Sequence, residues 1–139
     1  MAQAVWSFSQ PVEVRRITLQ VDLQPEIRLR ADPTQMEQLL SILLDNAVKY
    51  TNQRGTIWIS LRREDKRVRF SVQNTCETLP DAPPEKLFDR FYRSDAARTQ
   101  KTGGYGIGLA VAQSIAAANR GTLRAEYLPP DRIRFTALF

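Results

Sequence analysis

Histidine is absent from the 139 residues, and cysteine occurs once, at Cys76. Without histidine the usual zinc sites and Cys/His catalytic pairs are excluded, and a lone cysteine cannot pair within the chain. A reducing, cytoplasmic setting is therefore the default expectation. No uncharged apolar run reaches the roughly 18 residues of a membrane span, and "MAQAVWSFSQPVEV" lacks a basic stretch followed by an apolar core, so neither a span nor a signal peptide is expected. Glycine is scarce too, but four of the six glycines fall within "GGYGIG", residues 103–108. At 42% hydrophobic, the chain suits one globular domain over 1–139 that buries roughly two-thirds of its unfolded surface.

What is abundant is positive charge. The formal net charge is +5, and arginine outnumbers lysine sixteen to four. Nucleic acid, an anionic membrane or a phosphorylated ligand would each suit that balance. Most of these charges alternate with apolar residues, as in "LRREDKRVRF" and "DRIRF", which is the pattern of a solvated strand face. Arg90, Arg93, Arg98 and Lys101 form a separate cluster leading into the glycines, opposed only by Asp95.

No repeat, low-complexity tract or linker divides the chain. "ITLQVDL" and "EIRLRA" alternate on either side of Gln24-Pro25 and read as a hairpin of half-buried strands. In "DPTQMEQLLSILLDNAVKYT", Asp32 is a natural N-cap, Pro33 suits the first helical position and Gln35 completes a capping-box spacing. Met36, Leu39, Leu40, Leu43 and Ala47 supply that helix with a buried face, and Gly55 closes the unit. "TIWISLRR" and "RVRFSVQN" form a second hairpin, turning at Glu64-Asp65-Lys66, and a short helix follows Pro84. Residues 92–103 carry little apolar content and read as a mobile loop. The glycines open a helix to about Asn119 that stops at Gly121, and "TLRAEYL" and "RIRFTALF" are two final strands around Pro129-Pro130. The predicted class is α+β, a two-layer sandwich with about three helices on one face of a mixed, mostly antiparallel sheet.

A helix N-terminus offers unpaired N–H groups and about half a positive charge, and glycines let backbone close on a phosphate. That is one reading of Gly104, Gly106 and Gly108; the other is a loop ending in a helix that packs tightly through small residues. On the first helix, Ile42, Asn46, Lys49 and Tyr50 form a stripe read as lying opposite the leucines. A solvated face would look the same. The stripe nevertheless holds an amide oxygen for a hard cation, a lysine for a phosphate and a ring to cover a base.

"LLDNAVKYT", "VQNTCETLP", "EKLFDRFYRSDAAR" and "GGYGIGLAVAQSI" resemble, in order, the N, G1, F and G2 boxes of the ATP-binding catalytic domain of sensor histidine kinases. That domain is a branch of the gyrase, Hsp90 and mismatch-repair ATPase group. The likeness spans about residues 30–128 and implies a Bergerat-type fold, with ATP and Mg²⁺ held between the N-box helix and a lid at 92–103. It implies that Asn46 ligates Mg²⁺, that Lys49 and Arg93 serve the phosphates catalytically, and that Tyr50 lines the nucleotide pocket. Asn74, Cys76, Thr78 and Leu79 of the second box, with Gly104, Tyr105, Gly106, Ile107, Gly108 and Leu109 of the fourth, complete the implied nucleotide site. The implied reaction passes the γ-phosphoryl group to a histidine on a dimerisation domain, and then to a response-regulator aspartate. Since this chain has no histidine, it is expected to be a monomeric catalytic fragment of a longer, homodimeric kinase, one that an inner membrane could anchor. Nucleic acid is not an expected partner.

Three departures qualify the likeness. The G1 pattern D-x-G-x-G reads "NTCET", so Asn74 replaces a charged acceptor for the adenine amino group, an exchange expected to weaken ATP binding about tenfold. Ile42 stands where the hydrolysing relatives carry a water-activating Glu, and isoleucine can activate no water. A glycine-threonine pair before the last strand is replaced by "PPDRIRF". A regulatory nucleotide-binding module of the same fold and a gyrase- or chaperone-type ATPase therefore stand as alternatives.

Overall fold

The alternation of apolar and polar residues in the strands becomes a five-stranded sheet with one face covered by helices. The computed structural model describes residues 16–89 and 108–139. Its elements are β1 (Thr18–Leu23), α1 (Pro33–Tyr50), β2 (Thr56–Glu64), β3 (Arg67–Thr75), a 3-10 turn (Pro84–Phe88), α2 (Gly108–Ala118), β4 (Thr122–Leu128) and β5 (Arg132–Leu138). The strand order is β1-β2-β3-β5-β4. β1 and β2 run parallel; the other three pairings are antiparallel. Instead of about three helices, the described residues hold two α-helices and the 3-10 turn.

Ile57 and Ile59, Phe70 and Val72, and Ile133, Phe135 and Ala137 point to the helical side and are all buried. Leu39, Leu43, Leu44 and Ala47 of α1 meet them, together with Ala112, Ile115 and Ala116 of α2. Ala112 and Ala116 are fully buried, and such small side chains let α2 lie close to its neighbours. Phe88 of the 3-10 turn sets its ring edge-on to Phe135, with centroids 6.0 Å apart.

The opposite face of the sheet is polar. Gln20, Trp58, Gln73, Arg134 and Glu126 form one row across all five strands. Arg134 pairs with Glu126 at 2.7 Å, and the Arg132 guanidinium lies 4.6 Å from the Trp58 ring centroid. The alternating charges are thus the solvated strand face expected of them.

Three expectations need correction. "EIRLRA" is not a strand paired with "ITLQVDL": β1 pairs with β2, and the chain after Leu23 turns instead of returning. Gln24 donates its N–H to the Leu61 carbonyl and accepts the Arg63 N–H on Oε1, while the Arg63 guanidinium holds the Arg28 carbonyl. A two-residue period reports extended chain with one covered side, and it carries no information about the partner. The capping box is also incomplete. Asp32 does cap α1, accepting from Thr34 and Gln35, but Gln35 does not return to Asp32; its Oε1 accepts from Asn119 instead. Finally, Ile42, Asn46, Lys49 and Tyr50 do not lie opposite the leucines. All four are half-buried, and Ile42 packs against the core.

The end of α2 is a Schellman turn. The Gly121 N–H reaches the Ala116 carbonyl at 2.8 Å and the Arg120 N–H reaches Ala117 at 3.2 Å. Arg120, not the glycine, takes the left-handed position, with φ 63. Gly121 is required for space, because a Cβ there would fall 2.4 Å from the Phe139 ring.

Candidate functional site

α1 carries Asn46, Lys49 and Tyr50 on its last two turns. Its end is tied to the end of β3 by hydroxyl groups. Thr51, buried at the helix C-cap, shares a hydrogen bond with the Thr75 hydroxyl at 3.2 Å. Thr75 Oγ1 also donates to Asn52 Oδ1 at 2.7 Å and accepts the Thr56 N–H at 3.0 Å. Gly55 fits against this group so closely that a Cβ would stand 2.4 Å from Thr75 Oγ1. One side chain therefore joins the helix, the following turn and two strands. Sequence reading missed Thr51, Asn52 and Thr75, since a polar residue after a helix or strand looks like any turn residue.

Asn74, next to Thr75, is 1% exposed. Its Nδ2 donates to the Thr75 carbonyl at 2.9 Å, which fixes the amide's orientation and leaves Oδ1 as an acceptor without a partner among the described residues. A buried, unsatisfied carbonyl oxygen is costly, and a ligand N–H would relieve it. Cys76 is buried and its thiol donates to the Asp131 carbonyl at 3.5 Å. Burial pushes that thiol's pKa up, and the Asp131 carboxylate pushes it further. Thr78 is exposed; Leu79 is half-buried against the core.

α2 begins at Gly108 directly beside α1. A Cβ on Gly108 would lie 3.6 Å from Ile42 Cγ2, one turn before Asn46 on the same side of α1. The helix start predicted to hold phosphate thus adjoins the stripe predicted to hold the ion. Leu109 follows, half-buried against the core. Asn46 makes no side-chain hydrogen bond among the described residues. Lys49 pairs with Asp45 at 3.0 Å, a partly exposed i,i+4 contact worth about 0.3–0.5 kcal/mol. Among the described residues no group of three or more Cys, Asp or Glu side chains is disposed to hold a metal. A divalent ion at Asn46 would need oxygens from its ligand. Arg93, Gly104, Tyr105, Gly106, Ile107 and the segment 92–103 lie outside the described residues, as do Arg90, Arg98 and Lys101. No helix among the described residues is long and apolar enough to cross a membrane.

Comparison with known proteins identifies the family and the fold. The profile for the histidine kinase-, DNA gyrase B- and HSP90-like ATPases matches residues 31–139. The signal transduction histidine-protein kinase BaeS of Escherichia coli is 33% identical over 130 residues, covering 94% of this chain and 28% of that protein. The sensor histidine kinase YkoH of Bacillus subtilis is 41% identical over 115 residues, covering 83% of this chain and 25% of its own length. This chain thus spans about a quarter of either relative. Among solved structures, the catalytic domain of histidine kinase ThkA superposes with a TM-score of 0.85 at 24% identity, over 99% of this chain and 88% of that one. ThkA is also known in complex with the response regulator TrrA, where the TM-score is 0.80 at 22% identity, over 99% of this chain and 38% of that one.

Proposed function

This chain belongs to the histidine kinase-, DNA gyrase B- and HSP90-like ATPase family, and we propose that it holds Mg-ATP between α1 and the start of α2 and donates the γ-phosphoryl group to a histidine outside itself. ATP binding follows from the family, and the kinase branch from relatives such as BaeS and YkoH. The observation that carries the reading is the close approach of Gly108 to Ile42, where a Cβ would stand 3.6 Å from Ile42 Cγ2. It sets the start of α2 beside the turn of α1 that leads to Asn46, whose amide has no partner among the described residues.

Each residue has a part that its surroundings suit. Asn74 Oδ1 accepts the adenine amino group, because its Nδ2 is already committed to Thr75. Tyr50, Cys76, Thr78, Leu79 and Leu109 border the base. The N–H groups opening α2, with Gly104, Tyr105, Gly106 and Ile107 before them, meet the phosphates. Lys49 exchanges Asp45 for a phosphate oxygen, and Arg93 joins it from the lid at 92–103. Asn46 holds magnesium, which when bound neutralises phosphate charge and aligns the triphosphate. Transfer of this kind depends on position and charge more than on covalent chemistry from the protein. Ile42 supplies no base for water, which favours an outside acceptor over hydrolysis and disfavours a gyrase- or chaperone-type ATPase.

The acceptor imidazole belongs to a dimerisation domain of a longer, homodimeric parent. A response regulator then takes the phosphoryl group, a step supported by the ThkA complex with TrrA. In isolation the chain is a monomer that binds nucleotide, and in the parent it faces the cytoplasm, where an inner-membrane anchor would hold it.

Titration with ATP and a non-hydrolysable analogue, with and without Mg²⁺, tests the site. Magnesium-dependent binding below about 1 mM is expected. Asn46→Ala should abolish the magnesium dependence without moving the unfolding midpoint, since that amide has no partner to lose among the described residues. No metal-dependent binding by the unaltered chain would overturn the proposal. If nucleotide binds but no phosphate reaches histidine on added acceptor helices, the regulatory-module reading replaces it.

A further inference from the structure

At the end of the sandwich away from Gly108 lies an open groove of about 540 Å³. It forms where residues 28–30, the β2–β3 turn, the last turn of α2 and the C-terminal Phe139 meet. Five cations ring it: Arg28, Arg30, Arg63, Lys66 and Arg120. All five are exposed, no Asp or Glu side chain joins the terminal carboxylate of Phe139 in the groove, and none of the five has an ion-pair partner among the described residues. On the sheet's open face, by contrast, Arg62, Arg69 and Arg134 each take a carboxylate.

The floor between these cations is apolar. Leu29 is 39% exposed, one of two large apolar side chains so exposed among the described residues. Beside it lie Val68 and Phe139, whose backbones exchange two hydrogen bonds of 2.9 Å. One of the cations is also held in place, for Arg63 donates from Nη2 to the Arg28 carbonyl at 2.9 Å.

We propose that this groove docks an acidic segment of a partner protein, with carboxylates on the arginine rim and an apolar side chain seated on Leu29, Val68 and Phe139. Guanidinium groups receive carboxylates as two-pronged pairs, and the groove has the volume of a site that takes a few side chains. A nucleic acid fits less well. Its phosphates call for cations strung along a path and its bases for an open aromatic platform, whereas these cations encircle a floor whose one ring, Phe139, is half-buried against the core beside Gly121. The groove and the proposed nucleotide site lie at opposite ends of α2, so both can be filled at once. The inference is independent of nucleotide binding.

Fluorescence anisotropy on the full chain tests it, with a labelled Glu-Leu-Glu-Glu-Leu-Glu peptide as the probe. The same peptide with Gln for each Glu and a labelled single-stranded oligothymidylate serve as comparisons. The acidic peptide should bind, more weakly as salt rises, and the Gln peptide should not. Arg30→Glu combined with Lys66→Glu should weaken binding by about tenfold or more, two rim contacts of roughly half a decade each. The thermal midpoint and Mg-ATP affinity of that double variant should match those of the unaltered chain. No acidic-peptide binding at about 1 mM, affinity unmoved by the double substitution, or tighter binding of the oligonucleotide would each overturn the proposal.

Discussion

Asn119 accepts the backbone N–H of Asp32, 87 positions earlier in the chain, on its Oδ1 at 3.0 Å. Its Nδ2 donates to Gln35 Oε1 and to the Ile115 carbonyl, both at 2.8 Å. The residue closing α2 thereby completes the cap of α1 and holds together the two helices that frame the site. Asn119→Ala removes three side-chain hydrogen bonds and should cost about 2 kcal/mol. Urea unfolding would read that loss. Asn119→Asp keeps the acceptor and should recover part of it.

Arg120 holds a left-handed backbone conformation that costs an L-residue about 1 kcal/mol. Arg120→Gly should therefore raise stability by up to about 0.5 kcal/mol, after allowance for glycine's freer unfolded chain. A urea midpoint no higher than that of the unaltered chain would contradict this account of the turn.

Asn74→Asp should change two quantities in opposite directions. A carboxylate cannot donate to the Thr75 carbonyl and would be buried, so the nucleotide-free protein should lose about 1–3 kcal/mol. A charged acceptor should in turn tighten ATP binding about tenfold. Thermal unfolding with and without ATP separates the two effects; unchanged affinity would remove Asn74 from the adenine contact.

Cys76 should be slow to react at neutral pH. Burial, then the nearby Asp131 carboxylate, hold its pKa above the ordinary thiol value, so the thiolate appears only at higher pH. Iodoacetamide at pH 8 should label the folded chain at least about tenfold more slowly than the urea-unfolded chain. Asp131→Asn keeps the carbonyl that Cys76 uses and removes the charge. It should lower the pH at which labelling begins.

Much of this was legible locally. The N-cap Asp32, the Pro33 start, the β2–β3 turn and the final two strands all appear where the sequence places them, because caps, turns and two-residue periods are decided within a few residues. The candidate site was legible as residue types in order, since an amide, a lysine and clustered glycines suit a metal-bound triphosphate whatever surrounds them.

Contacts between distant residues were not legible. β1 pairs with β2, setting Thr18 opposite Thr56, and not with the segment after Pro25. That choice depends on a strand far along the chain and on Arg63, which anchors both Gln24 and Arg28. Asn119 takes the place of Gln35 at the cap of α1 because folding carries a second amide to that N–H. Ile42 lies at the seam with Gly108, and not on an open face, because α2 packs there. The sequence by itself determined the local elements and the chemistry available to them. Tertiary structure alone decided which backbone groups and side chains meet, because those pairings are settled by the packing of whole elements.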